Sequence, residues 1–259
     1  MLFLLTGDIQ TGKTRWLQAL LKELEKRGNS YAGVIAPGVW KKYETEELEK
    51  LGIDNILLPQ EEKISFARRR DLAQAEGNFD ETSQSAREKM MWEISEAALA
   101  QVNDYFGTLL KKHCEALDAQ ALPRNNTSAL KKACTCATTT TTKAAKAATA
   151  KTNCSSEKNS SEKVCSPSKN AADIAAPSLL IIDELGRLEL LRNAGLTNAT
   201  NLIKQGPSTL FPHAVIIVRE SLLPDAHALF DSAWNGKVEE IFPNDPCRQK
   251  ILNILYECD

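Results

Sequence analysis

The sequence predicts an α/β fold on a mostly parallel sheet, and three features carry that expectation. Short apolar runs alternate with amphipathic helical patterns toward both ends of the chain. The first run, "LFLLT", opens directly into "GDIQTGKT", a turn bearing two glycines and a lysine that leads into a helical pattern. A later run, "SLLIID", is apolar until it ends on carboxylates, as a strand covered on both faces would be.

The elements follow in order. "LFLLT" is a short buried strand, and "TRWLQALLKELEKRG" a helix, because Trp16, Leu17, Leu20, Leu21 and Leu24 recur on one face and Gly28 ends it. "YAGVIAP" is a second strand. "DNILLP", a polar "QEEK" turn and "ISFARR" form a small hairpin. "EISEAALAQVNDYFGTLLKKHCEAL" is one long amphipathic helix. "SLLIID" and "HAVIIVRE" are buried strands with helical "NATNLIKQG" between them, and "PDAHALFDSAW", "KVEEIF" and "DPCRQKILNILYE" close the chain as helix, strand and helix.

With 259 residues, a net charge of −2, 42% hydrophobic and 25% charged residues, the chain has an ordinary globular composition. That charge gives no reason to expect nucleic acid or an anionic membrane as partner. No apolar run approaches the roughly 20 residues that cross a bilayer. The first strand starts at Met1 with no signal-like leader, so a cytoplasmic protein without a membrane partner is expected. The seven cysteines are odd in number and scattered, which reads as reduced thiols; Cys134 and Cys136 are spaced too closely for an ordinary zinc pair.

From Ala119 to Ser178 the composition shifts to Ala, Thr, Ser, Lys and Asn, with no aromatic residue and no sustained apolar period. Such a stretch buries too little surface to offset its ordering entropy, so a long disordered insertion is expected over 119–178. It holds eight Lys and one Arg against two Glu and one Asp, a net of +6 that leaves −8 for the remainder. Residues 1–118 and 179–259 are then two parts of one domain.

"GDIQTGKT" fits G-x-x-x-x-G-K-[ST] between a strand and a helix, the setting that a phosphate-binding loop requires. Gly7 and Gly12 let the backbone curl so that successive N–H groups turn toward an anion with no Cβ in the way. The helix beginning near Lys13 adds the positive end of its dipole. Lys13 supplies an ammonium for the β- and γ-phosphates, and Thr14 a hydroxyl for Mg²⁺. The nucleotide-binding set is therefore Gly7, Asp8, Ile9, Gln10, Thr11, Gly12, Lys13 and Thr14. Asp8 is expected to point away from the bound phosphate, which would repel its carboxylate.

Such a site needs an acidic residue at the end of a neighbouring strand, and "SLLIIDELGRLEL" offers Asp183 and Glu184. Asp183 is placed to hold Mg²⁺ together with Thr14, through water, since that ion keeps much of its hydration shell. Glu184 can accept the proton of a water attacking the γ-phosphate. "DELG" also reads as the D-x-x-G of a GTPase, yet the guanine-selecting N-K-x-D is absent.

In "GDIQTGKT", "GVIAPGVW" and "IIDELGRLEL" the chain resembles the small thermophilic-type nucleoside triphosphatase family, which includes the cancer-related nucleoside triphosphatase. The resemblance spans most of residues 1–110 and 179–258. It implies a P-loop NTPase with a RecA-like sheet, hydrolysing several nucleoside triphosphates with Mg²⁺. Gln10 stands where the family has a third loop glycine, Arg15 where it has a second threonine, and Ala36 and Gly38 where it has Thr and Glu. The family's Asn-Arg pair is separated here into Asn244 and Arg248.

A dissociative phosphoryl transfer gains from a cation near the γ-phosphate. Arg187, where the family has lysine, and Arg219, at the end of "AVIIVR", join Lys13 and Glu184 as the candidate catalytic set. Glu189 is expected to brace the loop. Arg68, Arg69 and Arg70 read as a solvated face, and His113, His213 and His227 show no metal spacing. The expected activity is Mg²⁺-dependent hydrolysis of a nucleoside triphosphate, ATP or GTP. The alternatives are a nucleotide-dependent regulatory or delivery module with slow hydrolysis, and a small-acceptor kinase, which would want an arginine-bearing lid.

Overall fold

The structure, a computed structural model, describes residues 1–44, 46–121 and 178–256. All the described residues belong to one compact unit, Met1–Ala121 with Lys169–Asp259. The expected disordered insertion lies almost wholly outside the described residues, as do Cys134, Cys136, Cys154, Cys165 and Cys258. Only its ends are described: residues 119–121 complete a helix and Ser178 opens a strand.

Nine described strands form one mixed sheet: β1 (Leu2–Leu5), β2 (Ser30–Ile35), β3 (Gly38–Lys42), β4 (Leu48–Leu58), β5 (Glu62–Arg69), β6 (Trp92–Ile94), β7 (Ser178–Leu185), β8 (His213–Val218) and β9 (Val238–Ile241). The helices are α1 (Lys13–Arg27), α2 (Arg70–Ala75), α3 (Gln84–Arg87), α4 (Glu96–Ala121), α5 (Arg187–Arg192), α6 (Thr197–Lys204), α7 (Leu223–Phe230) and α8 (Asp245–Tyr256). Strands β2-β7-β8-β1-β9 run parallel in that order, and β4, β3, β5 and β6 continue the sheet beyond β2 as antiparallel strands. The expected small hairpin is thus a four-stranded extension.

The inner parallel strands β2, β7, β8 and β1 are largely apolar because both their faces are covered. Leu2 and Leu4, Ala32 and Val34, Leu180 and Ile182 face one core, with Val102, Phe106 and Leu109 of α4, Leu202 of α6 and Phe230 of α7. Phe3 and Leu5, Leu179 and Ile181, Val215 and Ile217 face the other, with Leu17, Leu20 and Leu24 of α1 and Ile251 of α8. The alternation of single residues between two cores is the pleat of the strands read directly. Gly33 is required where β2 passes β7: its φ is +123°, and a Cβ there would lie 1.9 Å from the Ile181 carbonyl oxygen.

The register of β4 matters for the site. Only Ile56–Leu58 pair with β2, opposite Ile35–Gly33, whereas Leu48–Ile53 run on past the end of β2 and pair with β3. At about 3.3 Å per residue this carries the β3–β4 ladder well beyond the carboxyl edge of the parallel strands. The long helix begins at Glu96, not at Glu93, because Trp92–Ile94 pair with β5 and Ser95 caps the helix by accepting from the Ala98 N–H at 3.3 Å. Among the described residues no helix is long and apolar enough to cross a membrane.

Candidate active site

At the carboxyl end of β1, Thr6 is pinned by its N–H to the Ile241 carbonyl at 2.9 Å, and the chain then turns through Gly7 to Thr14. Three residues of this loop have left-handed backbone: Gly7 (φ 134°), Gln10 (φ 65°) and Gly12 (φ 86°). Gln10 occupies a conformation natural to glycine, at a cost of about 1 kcal/mol. Gly12 precedes the first residue of α1 and has no side chain to cap it, and no acid stands in the first turn. The N–H groups and dipole of a 15-residue helix therefore face the loop with no capping side chain and no acid in the helix's own first turn. Lys13 folds back to donate to the Gly7 and Asp8 carbonyls, each at 2.7 Å. Asp8 is exposed, and its carbonyl also accepts from the Thr11 hydroxyl at 2.9 Å.

Opposite stands the end of β7. Its ladder with β8 is regular to Ile182 and resumes at Leu185, so Asp183 and Glu184 form a bulge, and Glu184 has φ 77°. Bulges of this kind re-aim side chains beside functional sites. Asp183 is turned inward, 8% exposed. Its Oδ2 accepts from the Ala36 N–H at 2.8 Å, and its carboxylate from the Thr14 side chain. Glu184 turns outward, and its Oε1 accepts from Arg219 Nε at 2.7 Å. Two adjacent carboxylates thus have separate environments.

Burial pushes the Asp183 carboxyl up to about 6, against the Ala36 N–H and the Thr14 hydroxyl that favour its charged form. A raised carboxyl lowers stability above its folded pKa, and the penalty vanishes below the unfolded one. Asp183→Asn is therefore expected to raise unfolding stability by about 2–3 kcal/mol near pH 8, with the gain gone by about pH 4. Denaturant unfolding at the two pH values measures this, and equal stabilities at pH 8 would refute the buried charge. Burial likewise holds the Lys13 ammonium below its usual range, opposed by the nearby Glu184, Asp183 and Asp8 carboxylates and reinforced by Arg219.

The other candidates divide. Arg219, just after β8, reaches the site through Glu184. Arg187 is exposed at the start of α5 and makes no hydrogen bond or ion pair among the described residues. Glu189 braces the turn after β7, accepting from the Gly186 and Leu196 N–H groups at 2.9 Å each. Arg68 pairs with Glu76 and Arg69 with Glu49 and Asp71, all at 2.6 Å, and Arg70 donates to the Ser85 carbonyl. Arg248 binds Glu23 of α1 at 2.8 Å, and Asn244 caps α8 while its carbonyl accepts from Trp16 Nε1. A cation on β4, Lys50, had no signal in the sequence, yet it lies within the field of Glu184 and Asp183.

Among the described residues no group of three His, Cys, Asp or Glu side chains could cage a metal. The site offers a hard cation the Thr14 hydroxyl and the Asp183 carboxylate, an oxygen-only pair that suits Mg²⁺ when phosphate and water complete its shell. Compared with protein families, curated proteins and solved structures, the chain matches none. What the fold defines is an α/β protein with a mixed nine-stranded sheet and no membrane-crossing helix among the described residues.

Proposed function

We propose that the chain is a Mg²⁺-dependent nucleoside triphosphatase, a P-loop protein of RecA-like design akin to the small thermophilic-type nucleoside triphosphatases. The observation that carries this reading is the link between Thr14, at the uncapped start of α1, and Asp183 at the bulged end of β7, with Glu184 beside it. An anion-receptive helix end, a hydroxyl–carboxylate pair and a second, separately held carboxylate are the parts that triphosphate hydrolysis needs.

In this reading the Gly7–Thr14 loop wraps the β-phosphate with its N–H groups, and Lys13 exchanges the Gly7 and Asp8 carbonyls for β- and γ-oxygens. Thr14 and Asp183 would hold Mg²⁺, which would supply charge neutralisation on the phosphate oxygens. Glu184 orients a water and takes its proton as the water oxygen bonds to the γ-phosphorus. The bond to the bridging oxygen breaks, leaving nucleoside diphosphate and phosphate. Arg219 steadies Glu184 beforehand.

Phosphate release from ATP, GTP, CTP and UTP in the presence of Mg²⁺ tests the proposal. Steady release at more than one equivalent per chain is expected, and a chain that binds triphosphate without releasing phosphate would overturn it. The second reading, a slow nucleotide-dependent switch, is favoured by one contact: the 2.7 Å Arg219–Glu184 ion pair occupies Oε1 of the general base until something draws Arg219 off. Release confined to a single slow turnover would select it.

A further inference from the structure

The antiparallel extension brings one charged side chain to the carboxyl edge of the parallel strands. Lys50 sits in the part of β4 that overhangs β2, opposite Trp40 of β3. Its stem is wedged over Gly38: a Cβ there would meet Lys50 Cε at 2.8 Å and Trp40 Nε1 at 2.7 Å. On the other side its ammonium lies 4.9 Å from the centre of the Trp92 ring. Lys50 is half-buried, and among the described residues it makes no ion pair. Burial holds its ammonium below lysine's usual range, while Glu184 and Asp183 oppose that and Arg219 adds to it. The carboxylates at the end of β7 thus act on it, and among the described residues it is paired with no carboxylate.

We propose that Lys50, on the overhanging β3–β4 ladder, is a catalytic residue that contacts the γ-phosphate from the side opposite Lys13. This rests on the triphosphatase reading and adds to it a second lysine carried by a different part of the sheet. The ammonium lies over the Trp92 ring and its stem over Gly38, so it is pre-positioned before any ligand arrives. A partly desolvated ammonium without a carboxylate partner attracts an anion more strongly than a solvated one. The γ-phosphoryl group, which gathers negative charge on its equatorial oxygens, is the anion brought to the mouth of the Gly7–Thr14 loop. Gly38 has the matching role of leaving space: any side chain there displaces Lys50 and Trp40, whose ends can move, without striking backbone.

The test uses the full chain and four proteins: wild type, Lys50→Met, Lys50→Arg and Gly38→Ala. Single-turnover phosphate release with Mg²⁺ and ATP is measured beside the affinities for ADP and for a non-hydrolysable ATP analogue. Lys50→Met is expected to slow release by about 10²-fold or more, to lose about 10-fold in analogue affinity, and to keep ADP affinity within about 2-fold. Lys50→Arg restores most of the analogue preference. Gly38→Ala lowers release while its unfolding midpoint stays near wild type, which keeps the test intact if Lys50→Met folds poorly. Wild-type release in Lys50→Met, or an equal loss of ADP and analogue affinity, overturns the assignment. If the wild type itself releases no phosphate, the triphosphatase reading falls, and the analogue-against-ADP preference still decides whether Lys50 meets the third phosphate.

Discussion

Glu184→Gln is expected to slow phosphate release by about 10³-fold while nucleotide binding stays at least as tight as in the wild type. The glutamine keeps the shape of the side chain and can occupy the same left-handed backbone, so the bulge between Ile182 and Leu185 persists. It cannot take a proton from water. It also no longer holds Arg219 by charge, since the 2.7 Å contact becomes one between an arginine and a neutral amide. The freed guanidinium then adds to the attraction for the triphosphate. Stopped-flow phosphate detection and calorimetric titration with ATP measure the two halves of the expectation. Hydrolysis by Glu184→Gln at the wild-type rate would remove Glu184 from the role of base.

Lys13→Ala should lose binding and turnover together, with triphosphate affinity falling by about 10²-fold or more. The reason lies in where the ammonium sits. It is half-buried beside Gly7 and Asp8, bonded to their carbonyls at 2.7 Å, and surrounded by the field of Glu184, Asp183 and Asp8. Without it, the field of Glu184, Asp183 and Asp8 is left with no ammonium on the loop to offset it. Lys13→Arg is not expected to rescue binding, because a planar guanidinium does not fit the place of a compact ammonium. A Lys13→Ala protein that bound ATP as the wild type does would show that the loop is an ordinary turn.

The loop and the strand with its two carboxylates were legible because their chemistry is local. A glycine-lysine turn between a strand and a helix, and an apolar run ending on acids, are each contained in a few consecutive residues. Asn244 and Arg248 could be marked as departures, but not that Arg248 is engaged by Glu23 on α1. Strand β3 went unseen because Trp40, Lys41 and Lys42 are exposed and pair only with β4, which leaves no alternation of apolar and polar residues. Strand β6 has three residues whose pairing is decided by β5, and α5 is a single short stretch after the bulge. Lys50 was invisible for the same reason as β3: its meaning comes from a register, and no local pattern announces which residues of a strand will overhang.

Strand β1 bonds to β8 at Ala214–Ile217 and to β9 at Val238–Ile241, and to no other described strand. On the ribosome, the strand that leads into the Gly7–Thr14 loop therefore emerges first among the described strands and waits longest for its neighbours. Strand β2, by contrast, has an antiparallel partner in β4 within the next few dozen residues. At about 5–20 residues per second, synthesis holds β1 unpaired for tens of seconds. The extension and its lysine have the opportunity to fold early, whereas the proposed nucleotide site stays incomplete until β8 has been made. Nascent chains halted before His213 should pass through a triphosphate affinity column unretained, whatever else in them has already folded.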